Sequence, residues 1–477
     1  MTKVSENPLV VDLDGTLTRS DLLYESFGGL IKLNIFNVLR VPFWLAKGKA
    51  HMKRRIAERV DVDIELLPWN KEFLEYLKAE KISGRRLILA TASDEKYAHQ
   101  IAEYIGLFDN VIASDGVTNV SGKRKVAKAR ELLGDEPFDY AGNAEIDLQV
   151  WAEADKALLV NAEAGLEARL DGVAPIERVF DDKASQLKMF IKAIRAHQWL
   201  KNLLIFVPLI LSYQFFESGQ DISAVLAFIA FSLCASSVYL LNDILDLSAD
   251  RQHPRKKRRP FASGNLSIVT GFVTMGAFLL ISFLICFLLP PAFFLALLLY
   301  YVLTMAYSTV LKRAAIVDVL TLAALYTMRL IAGAAAISVD LSFWLLAFSM
   351  FIFLSLALIK RYSELLMQVS RGQDFIAGRA YRPVDLETLS QMGATSGYLA
   401  VMVLALYIES DAVNANYSHP EALWLLCPMM LYWISRLWLI TRRGQMHDDP
   451  VVFTITDRRT YTLAAAAVAV LVAGVIV

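Results

Sequence analysis

Asn242-Asp243-Ile244-Leu245-Asp246-Leu247-Ser248-Ala249-Asp250 closes a long apolar run and passes directly into a basic one, from Arg251 to Arg255-Lys256-Lys257-Arg258-Arg259-Pro260. On a helix, Asn242, Asp246 and Asp250 recur at i, i+4 and i+8, and Asp243 stands beside them. Three carboxylates and an amide therefore share one face at the mouth of a membrane helix. Carboxylates packed this closely repel one another unless a cation holds them. An all-oxygen set suits Mg²⁺ better than zinc, and Mg²⁺ commonly takes substrate phosphates as its remaining ligands. The expectation is a Mg²⁺ site on Asn242, Asp243, Asp246 and Asp250, with Asp243 and Asp246 closest to the chemistry. The plainer alternative is a solvated acidic helix end balanced by the basic run. Against it, ionisable groups flush against hydrocarbon are costly and mostly functional.

Working outward, 477 residues exceed one ordinary core, and the 56% hydrophobic content is unevenly spread. Residues 1–180 mix charged and apolar stretches like a soluble domain, whereas residues 199–477 are dominated by apolar runs. The expected division is a soluble domain over 1–165, a linker over 166–197 and a membrane domain over 198–477. Formal net charge is zero, so the overall balance implies no nucleic-acid partner. Cys234, Cys286 and Cys427 all lie in apolar runs, with no metal or disulfide spacing. The polar N-terminus lacks a signal-peptide pattern, which leads to the expectation of a cytoplasmic soluble part.

In that part, Asn7-Pro8-Leu9-Val10-Val11 reads as a short strand running into Asp12-Leu13-Asp14-Gly15-Thr16. Carboxylates at i and i+2 project from one side at a strand's C-terminal end, where open α/β sheets place their sites. Leu87–Ala90 runs likewise into Thr91-Ala92-Ser93, and Phe138–Ala141 into Gly142-Asn143 and on to Asp147. With helices expected over 95–106 and 123–134, this is the order of a doubly wound parallel sheet.

These residues resemble the haloacid-dehalogenase (HAD) phosphatase superfamily over about residues 8–160. The resemblance implies Asp12 as a nucleophile that forms an aspartyl-phosphate, and Asp14 as general acid/base. It further implies Thr91 on the phosphoryl oxygens, Lys123 or Lys125 neutralising charge, and Mg²⁺ held by Asp12, Asp14 and Asp147. A carboxylate is a poor nucleophile towards a phosphoryl group unless Mg²⁺ and a lysine spread the charge. One departure stands out: the family's fourth motif usually begins with aspartate, and here that position is Asn143. The amide supplies one negative charge less, which leaves a non-catalytic phosphatase fold as the alternative.

Residues 18–80 interrupt the sheet as a small helical cap. Within it Phe27–Leu45 is unusually apolar, but Lys32, Asn34, Asn37 and Arg40 break it too often for a comfortable spanning helix. The expectation is a helix pair packed on the phosphatase core. The sharper alternative is a segment that touches the membrane and admits a lipid-borne substrate. Further on, Leu187, Phe190, Ile191 and Ile194 recur at helical spacing opposite Lys188, Lys192 and Arg195. That pattern suits an interfacial amphipathic helix, or a linker helix packed on protein.

Apolar runs at about 199–216, 222–242, 268–289, 291–311, 316–337, 341–359, 394–409, 420–440 and 460–477 give nine candidate membrane helices. Lys and Arg crowd the loops after the even-numbered runs and are missing from the loops after runs one, three, five and seven. The expectation is an integral protein of a bacterial inner membrane, with the even loops and soluble domain cytoplasmic and the C-terminus outside. Polar groups collect at the same side: Gln198, Lys201 and Asn202 at run one, Tyr307 and Lys312 at run four, Arg329 in run five, and Lys360, Arg361 and Glu364 at run six. Such a set of cations near an acidic Mg²⁺ site describes a receptor for a polyphosphate.

Residues 195–477 resemble the UbiA superfamily of intramembrane prenyltransferases, whose Asn-Asp-x-x-Asp-x-x-x-Asp motif is met by Asn242, Asp243, Asp246 and Asp250. Ordinary members carry a second aspartate-rich motif after helix six. In its place stand Lys360-Arg361-Tyr362-Ser363-Glu364 and Gly378-Arg379-Ala380-Tyr381-Arg382. Cations in place of carboxylates bind a phosphate directly, without a second metal. With Gln198-Trp199-Leu200-Lys201-Asn202 and Tyr307-Ser308, this looks like the decaprenyl-phosphate phosphoribosyltransferase branch. That likeness implies phosphoribosyl pyrophosphate as donor and a polyprenyl phosphate as acceptor. It also implies Gln198, Lys201, Asn202, Tyr307, Lys312, Arg329, Lys360, Arg361 and Glu364 as substrate contacts. The alternatives are an aromatic-acceptor prenyltransferase of quinone or haem biosynthesis, and a membrane binding or transport protein with a regulatory HAD domain.

Overall fold

The computed structural model describes residues 7–212, 219–370, 380–411, 413, 417–446 and 450–476. The chain divides into two compact units, Met1–Ile194 with Tyr239–Gly276, and Arg195–Val238 with Ala277–Val477.

The first unit is built on six parallel strands: β1 (Leu9–Val11), β2 (Leu87–Asp94), β3 (Asn110–Ser114), β4 (Asp139–Gly142), β5 (Ala157–Val160) and β6 (Ile176–Phe180). Their order is β3-β2-β1-β4-β5-β6. In β1, Leu9 pairs with Leu87 on one side and Asp139 on the other. The short strand reads as a continuous apolar run because both its faces are covered. Leu9 and Val11 enter one core with Phe73, Leu77 and Ile101, while Val10 enters the opposite core with Ala129, Phe138 and Trp151. The strand order turns back at β1, so the ends of β1 and β4 open into the crevice where doubly wound sheets bind ligands. β2 runs four residues beyond the expected Ala90, with an irregular pairing between Ala90 and Asp94.

The cap between β1 and β2 holds α1 (Leu22–Leu33), α2 (Val41–Ala46) and α3 (Lys49–Ala57). Three further helices flank the sheet: α4 (Lys71–Ile82), α5 (Glu95–Ile105) and α6 (Lys123–Leu133). Asp21 starts α1 by accepting from the Leu23 and Tyr24 amides, and Asn70 starts α4 by accepting from Phe73.

The unit boundary differs from a simple division at residue 197, because Tyr239–Gly276 folds with the α/β domain. Leu240, Ile244, Leu247, Phe261, Leu266 and Ile268 share a core with Ala193, Tyr24 and Met189. The Glu25 carboxylate of α1 pairs with the buried Arg251 guanidinium, which also donates to the Ala262 carbonyl at 3.0 Å. The expected linker helix forms at Gln186–Ala193; Met189 and Ala193 face this core, and Leu187 and Ile191 stay exposed.

The second unit is helical. Helical residues coincide with each of the nine expected apolar runs. Among the described residues, seven helices are long and apolar enough to cross a membrane: Gln220–Leu245, Ile268–Leu288, Pro291–Thr309, Val317–Ala336, Phe343–Val369, Asp385–Ile408 and Pro420–Arg442. The first run is a shorter element, Ala196–Leu211. Close helix approach rests on small residues. A Cβ at Gly333 would lie 2.1 Å from the Ile205 carbonyl oxygen, and one at Gly393 would lie 2.0 Å from the Trp438 ring. Gly378 and Arg379, singled out in the sequence, lie outside the described residues.

Arg85 and Asp139, both with fully buried side chains, pair across the foot of β1. Arg85→Leu removes the cation from the buried Asp139 carboxylate and is expected to destabilise the first unit by about 3–5 kcal/mol. Limited proteolysis of β2 and β4 against temperature checks this.

Candidate functional site

Asp12 and Asp14 leave β1 into a cavity of about 910 Å³ that is also lined by Ser93, Lys125, Asn143, Asp147 and the loop Gly264–Ile268. Of the two lysines the sequence left open, Lys125 is the one beside the nucleophile position. Its Nζ donates to Asp12 Oδ1 at 2.6 Å and to the Tyr140 hydroxyl oxygen at 2.8 Å. Lys123, the expected substrate contact, is exposed at the first position of α6; its backbone N–H bonds to Gln149 at 3.0 Å. The two residue steps from one to the other turn the side chains through about 200° of helix, so one points in and the other out.

Asp14 is held from several sides. Its Oδ1 accepts from the Leu22 amide at 2.8 Å, and its Oδ2 from Ser93 Oγ at 2.7 Å and Thr91 Oγ1 at 3.3 Å. Thr91 is fully buried and accepts from the Ser93 amide at 2.9 Å, so it fixes the end of β2 as well as facing Asp14. Asp147 accepts from the Asn143 and Ala144 amides through one oxygen and from the Tyr140 hydroxyl through the other, and lies 3.7 Å from Lys125. Asn143 accepts from Thr16 Oγ1 at 3.2 Å. Gly15 has φ +81°, and its missing Cβ makes room for the Asn143 amide.

Burial pushes the Asp12 carboxyl up to about 7 against the pull of Lys125, with Asp147 and Asp14 adding to the rise. Lys125 stays above the ordinary lysine range: burial works against its charge, but Asp12 and Asp147 outweigh it. Asp21 is likewise raised to about 7, by burial and then by Asp14. Lys53 of α3 bonds the Ala92 carbonyl at 2.6 Å and Asn119 at 2.9 Å, and burial lowers its pKa. Sequence reasoning missed Ser93, Tyr140, Asp21 and Lys53 as site groups. Only Ser93, two residues beyond Thr91 on β2, carried a periodic signal.

The acidic motif keeps its shared face with one kink. The helix Gln220–Leu245 ends at Asp246 and a short helix continues over Leu247–Gln252. The ladder is maintained, with Asp246 N–H on the Asn242 carbonyl at 3.0 Å and Asp250 N–H on Asp246 at 2.8 Å. Asp243 and Asp250 are buried, and Arg259 Nη1 bonds both, at 2.9 Å and 2.6 Å. The basic run thus supplies a counter-cation, which is the part of the plainer alternative that the geometry bears out. Burial still lifts the Asp250 carboxyl, with Arg259 pulling against it.

Among the described residues, no three His, Cys, Asp or Glu side chains gather as a metal cage. Mg²⁺ needs less, since one or two carboxylates with waters and substrate phosphate commonly hold it. Asp12, Asp14 and Asp147, the expected holders, line one cavity with the Asn143 amide and offer that donor set. In the acidic motif the donors are of the same kind, and seating Mg²⁺ there requires Arg259 to release Asp243 and Asp250.

In the second unit the expected substrate contacts form two groups. Arg329 Nε donates to Asn202 Oδ1 at 2.9 Å, Asn202 donates to Ser232 at 2.9 Å, and the Arg329 guanidinium lies 5.3–5.4 Å from the rings of Phe231, Tyr300 and Tyr326. Lys201, also buried, stands 5.8 Å from the Tyr326 ring. Gln198 is half-buried in the same element. The other group centres on Arg361, which is fully buried. Its guanidinium pairs with Asp318 and Glu364 and bonds the Tyr307 hydroxyl at 2.7 Å. Tyr307 in turn donates to Asp318 at 2.9 Å. Arg361 therefore meets carboxylates of its own chain where a phosphate contact was expected, and Asp318 is the partner that spacing did not reveal. Lys312 and Lys360 are half-buried nearby in sequence.

Comparison with known proteins matches residues 203–455 to the model of the UbiA prenyltransferase family and residues 9–152 to that of haloacid dehalogenase-like hydrolases. The protein y4nM of Sinorhizobium fredii is 34% identical over 96% of this chain and 89% of its own. Decaprenyl-phosphate phosphoribosyltransferase of Mycobacterium tuberculosis is 30% identical over 60% of this chain and 93% of its own. A UbiA homolog from Archaeoglobus fulgidus bound to GPP and Mg²⁺ superposes over 61% of this chain and all of its own, at 17% identity and a TM-score of 0.46.

A phosphatase reading of this cavity predicts that Lys125→Met slows hydrolysis of a phosphate monoester by on the order of 10²-fold or more, while Lys123→Met stays close to the parent rate; a phosphate-release assay separates them. Mg²⁺ binding at Asp12 needs the ionised carboxylate, which burial disfavours below about pH 7. Affinity is therefore expected to rise with pH through about 7, with about one proton released near pH 6 and almost none near pH 8. Calorimetry in buffers of different ionisation enthalpy counts that proton.

Proposed function

The chain belongs to the UbiA prenyltransferase family, and from that premise we propose that its membrane half transfers 5-phosphoribose from phosphoribosyl pyrophosphate to a polyprenyl phosphate. The reading is supported by the full Asn242-Asp243-Asp246-Asp250 motif, by cations where a second acidic motif would stand, and by the phosphoribosyltransferase name of a relative. The acceptor phosphate oxygen attacks ribose C1, the bond from C1 to the pyrophosphate oxygen breaks, and pyrophosphate leaves. No general base is required, because a phosphate is already ionised at neutral pH. Catalysis comes from positioning and from balancing charge on the leaving group. Asn242, Asp243, Asp246 and Asp250 would hold Mg²⁺, whose chemistry is to neutralise the departing pyrophosphate. Lys201, Arg329, Lys312, Lys360 and the Arg361 group would take the sugar 5-phosphate and the lipid phosphate, with Gln198, Asn202 and Tyr307 orienting them.

The product carries a phosphate monoester, which the HAD-like domain is suited to remove. Asp12 attacks phosphorus, the ester bond breaks and Asp14 protonates the leaving ribose oxygen. Water then hydrolyses the aspartyl-phosphate, its proton passing to Asp14. Thr91 and Lys125 hold the phosphoryl oxygens. The observation that carries this second step is the cavity of Asp12 and Asp14, one wall of which is the loop Gly264–Ile268 that follows the acidic motif. The result would be a polyprenyl-phospho-ribose, a precursor for an arabinose donor. Both steps would proceed at the cytoplasmic face, where the positive-inside pattern puts the even loops.

Mass spectrometry of lipid products tests both steps. Protein with Mg²⁺, a polyprenyl phosphate and phosphoribosyl pyrophosphate is expected to yield a dephosphorylated phosphoribosyl lipid. Asp246→Asn abolishes all product, and Asp12→Asn accumulates the 5-phosphorylated lipid. Prenylation of an aromatic acid from a prenyl diphosphate, with no phosphoribosyl lipid, would replace this reading with the aromatic-acceptor one.

A further inference from the structure

The apolar stretch Phe27–Leu45 was expected to pack on the phosphatase core, and from Leu33 onward most of it does not. After α1, Asn34 caps a 3-10 turn over Ile35–Arg40 by accepting from the Phe36 amide at 2.9 Å, and α2 follows over Val41–Ala46. Val41 and Trp44 face inward, against Leu30, Met52, Ile56 and Val60 of the cap. The outward positions are also apolar. Phe36, Leu39 and Phe43, at helical spacing, are 71%, 67% and 74% exposed, and Leu33, Ile35 and Leu45 are exposed beside them. A contiguous apolar tip of this kind marks a binding or membrane surface.

Three observations say what covers it. The first is charge: between residues 26 and 57 the chain has seven Lys or Arg, among them Lys32, Arg40, Lys47 and Lys49, and no Asp or Glu. Those four cations are exposed around the tip. An apolar face with a cationic rim is the composition of an element that lies in an anionic lipid interface. The second is continuity with membrane helices. Phe27 of α1 packs edge-on against Phe272 of Ile268–Ile285, with ring centroids 5.4 Å apart, and Gly28 lies against Ile244. Val273, next to Phe272, is itself 66% exposed on a helix long and apolar enough to cross a membrane. The third is the linker helix Gln186–Ala193, which packs against the same ends of these helices through Met189 while presenting Leu187 and Ile191 outward above Lys188 and Lys192.

We propose that the cap tip Leu33–Ala46 is a membrane-inserting element, seated with Phe36, Leu39 and Phe43 in the acyl boundary and Lys32, Arg40, Lys47 and Lys49 at the headgroups of an anionic lipid surface. It fastens the phosphatase-like cap to the bilayer at a second point, besides the covalent connection to the membrane helices. The cap then borders both the Asp12–Asp14 cavity, through Asp21 and Lys53, and the lipid from which a phosphorylated headgroup would arrive. The membrane contact itself does not depend on which reaction the chain catalyses.

The three native cysteines are buried, so single introduced cysteines take a spin label selectively. The full chain with Phe36→Cys, Leu39→Cys or Phe43→Cys is labelled and reconstituted into vesicles of phosphatidylcholine and phosphatidylglycerol. Ile82→Cys and Val117→Cys, both at sites 88% exposed and outside the segment 33–46, serve as water-facing references. The expected result is a several-fold loss of collision with a water-soluble nickel chelate at 36, 39 and 43, with collision with oxygen raised. Nickel accessibility equal to that at 82 and 117 overturns the proposal. Protection from both nickel and oxygen also overturns it, because that is the signature of a protein partner or a second copy. Because these outward side chains support no core, the labels leave the fold intact, and melting of each variant checks it. The readout needs no enzymatic activity, so failure of the reaction proposed above and failure of the membrane contact are told apart.

Discussion

Carboxylates brought together out of water have to be neutralised or hydrogen-bonded, and in this chain several of them are met by a cation. Asp12 and Asp147 share Lys125, Asp243 and Asp250 share Arg259, Asp318 and Glu364 share Arg361, and Asp139 takes Arg85. Removing either partner would leave a buried charge whose desolvation is not offset. These pairs also prepare the sites. A phosphate or Mg²⁺ bound there would meet groups already fixed in place, and binding would exchange one partner for another.

Arg259 illustrates the exchange. It belongs to the run of cations that follows the acidic motif, and it occupies the charge that a metal would otherwise balance. Binding of Mg²⁺ with a polyphosphate would free this guanidinium for the phosphate oxygens, a shape it fits bidentately. The same stretch of chain carries Arg251 to Glu25 and Gly264–Ile268 to the phosphatase-like cavity. One loop therefore serves the acidic motif, the cap and the cavity wall.

Much of this was legible in the sequence because it follows from short-range rules. Asp12 and Asp14 at a strand end, the alternation that yields a parallel sheet, the apolar runs and the placement of Lys and Arg all depend on neighbours within a few residues. The choice between Lys123 and Lys125 was not legible, since both fit the spacing and only the direction of α6 against β1 separates them. Nor was the fate of Phe27–Leu45. Its polar interruptions argued for a packed cap, whereas α1 and α3 fill the available core and leave Phe36, Leu39 and Phe43 outside.

The amino-acid sequence by itself determined the parallel α/β domain, the helical membrane half and the acidic motif with its one-sided face, since these rest on periodicity and local charge. The tertiary structure alone decided that Tyr239–Gly276 folds with the α/β domain, that Arg259 sits on Asp243 and Asp250, and that Arg361 is engaged by Asp318. Those pairings join residues brought together by folding, where burial sets the strength of each charge and no spacing along the chain records which partner will be near.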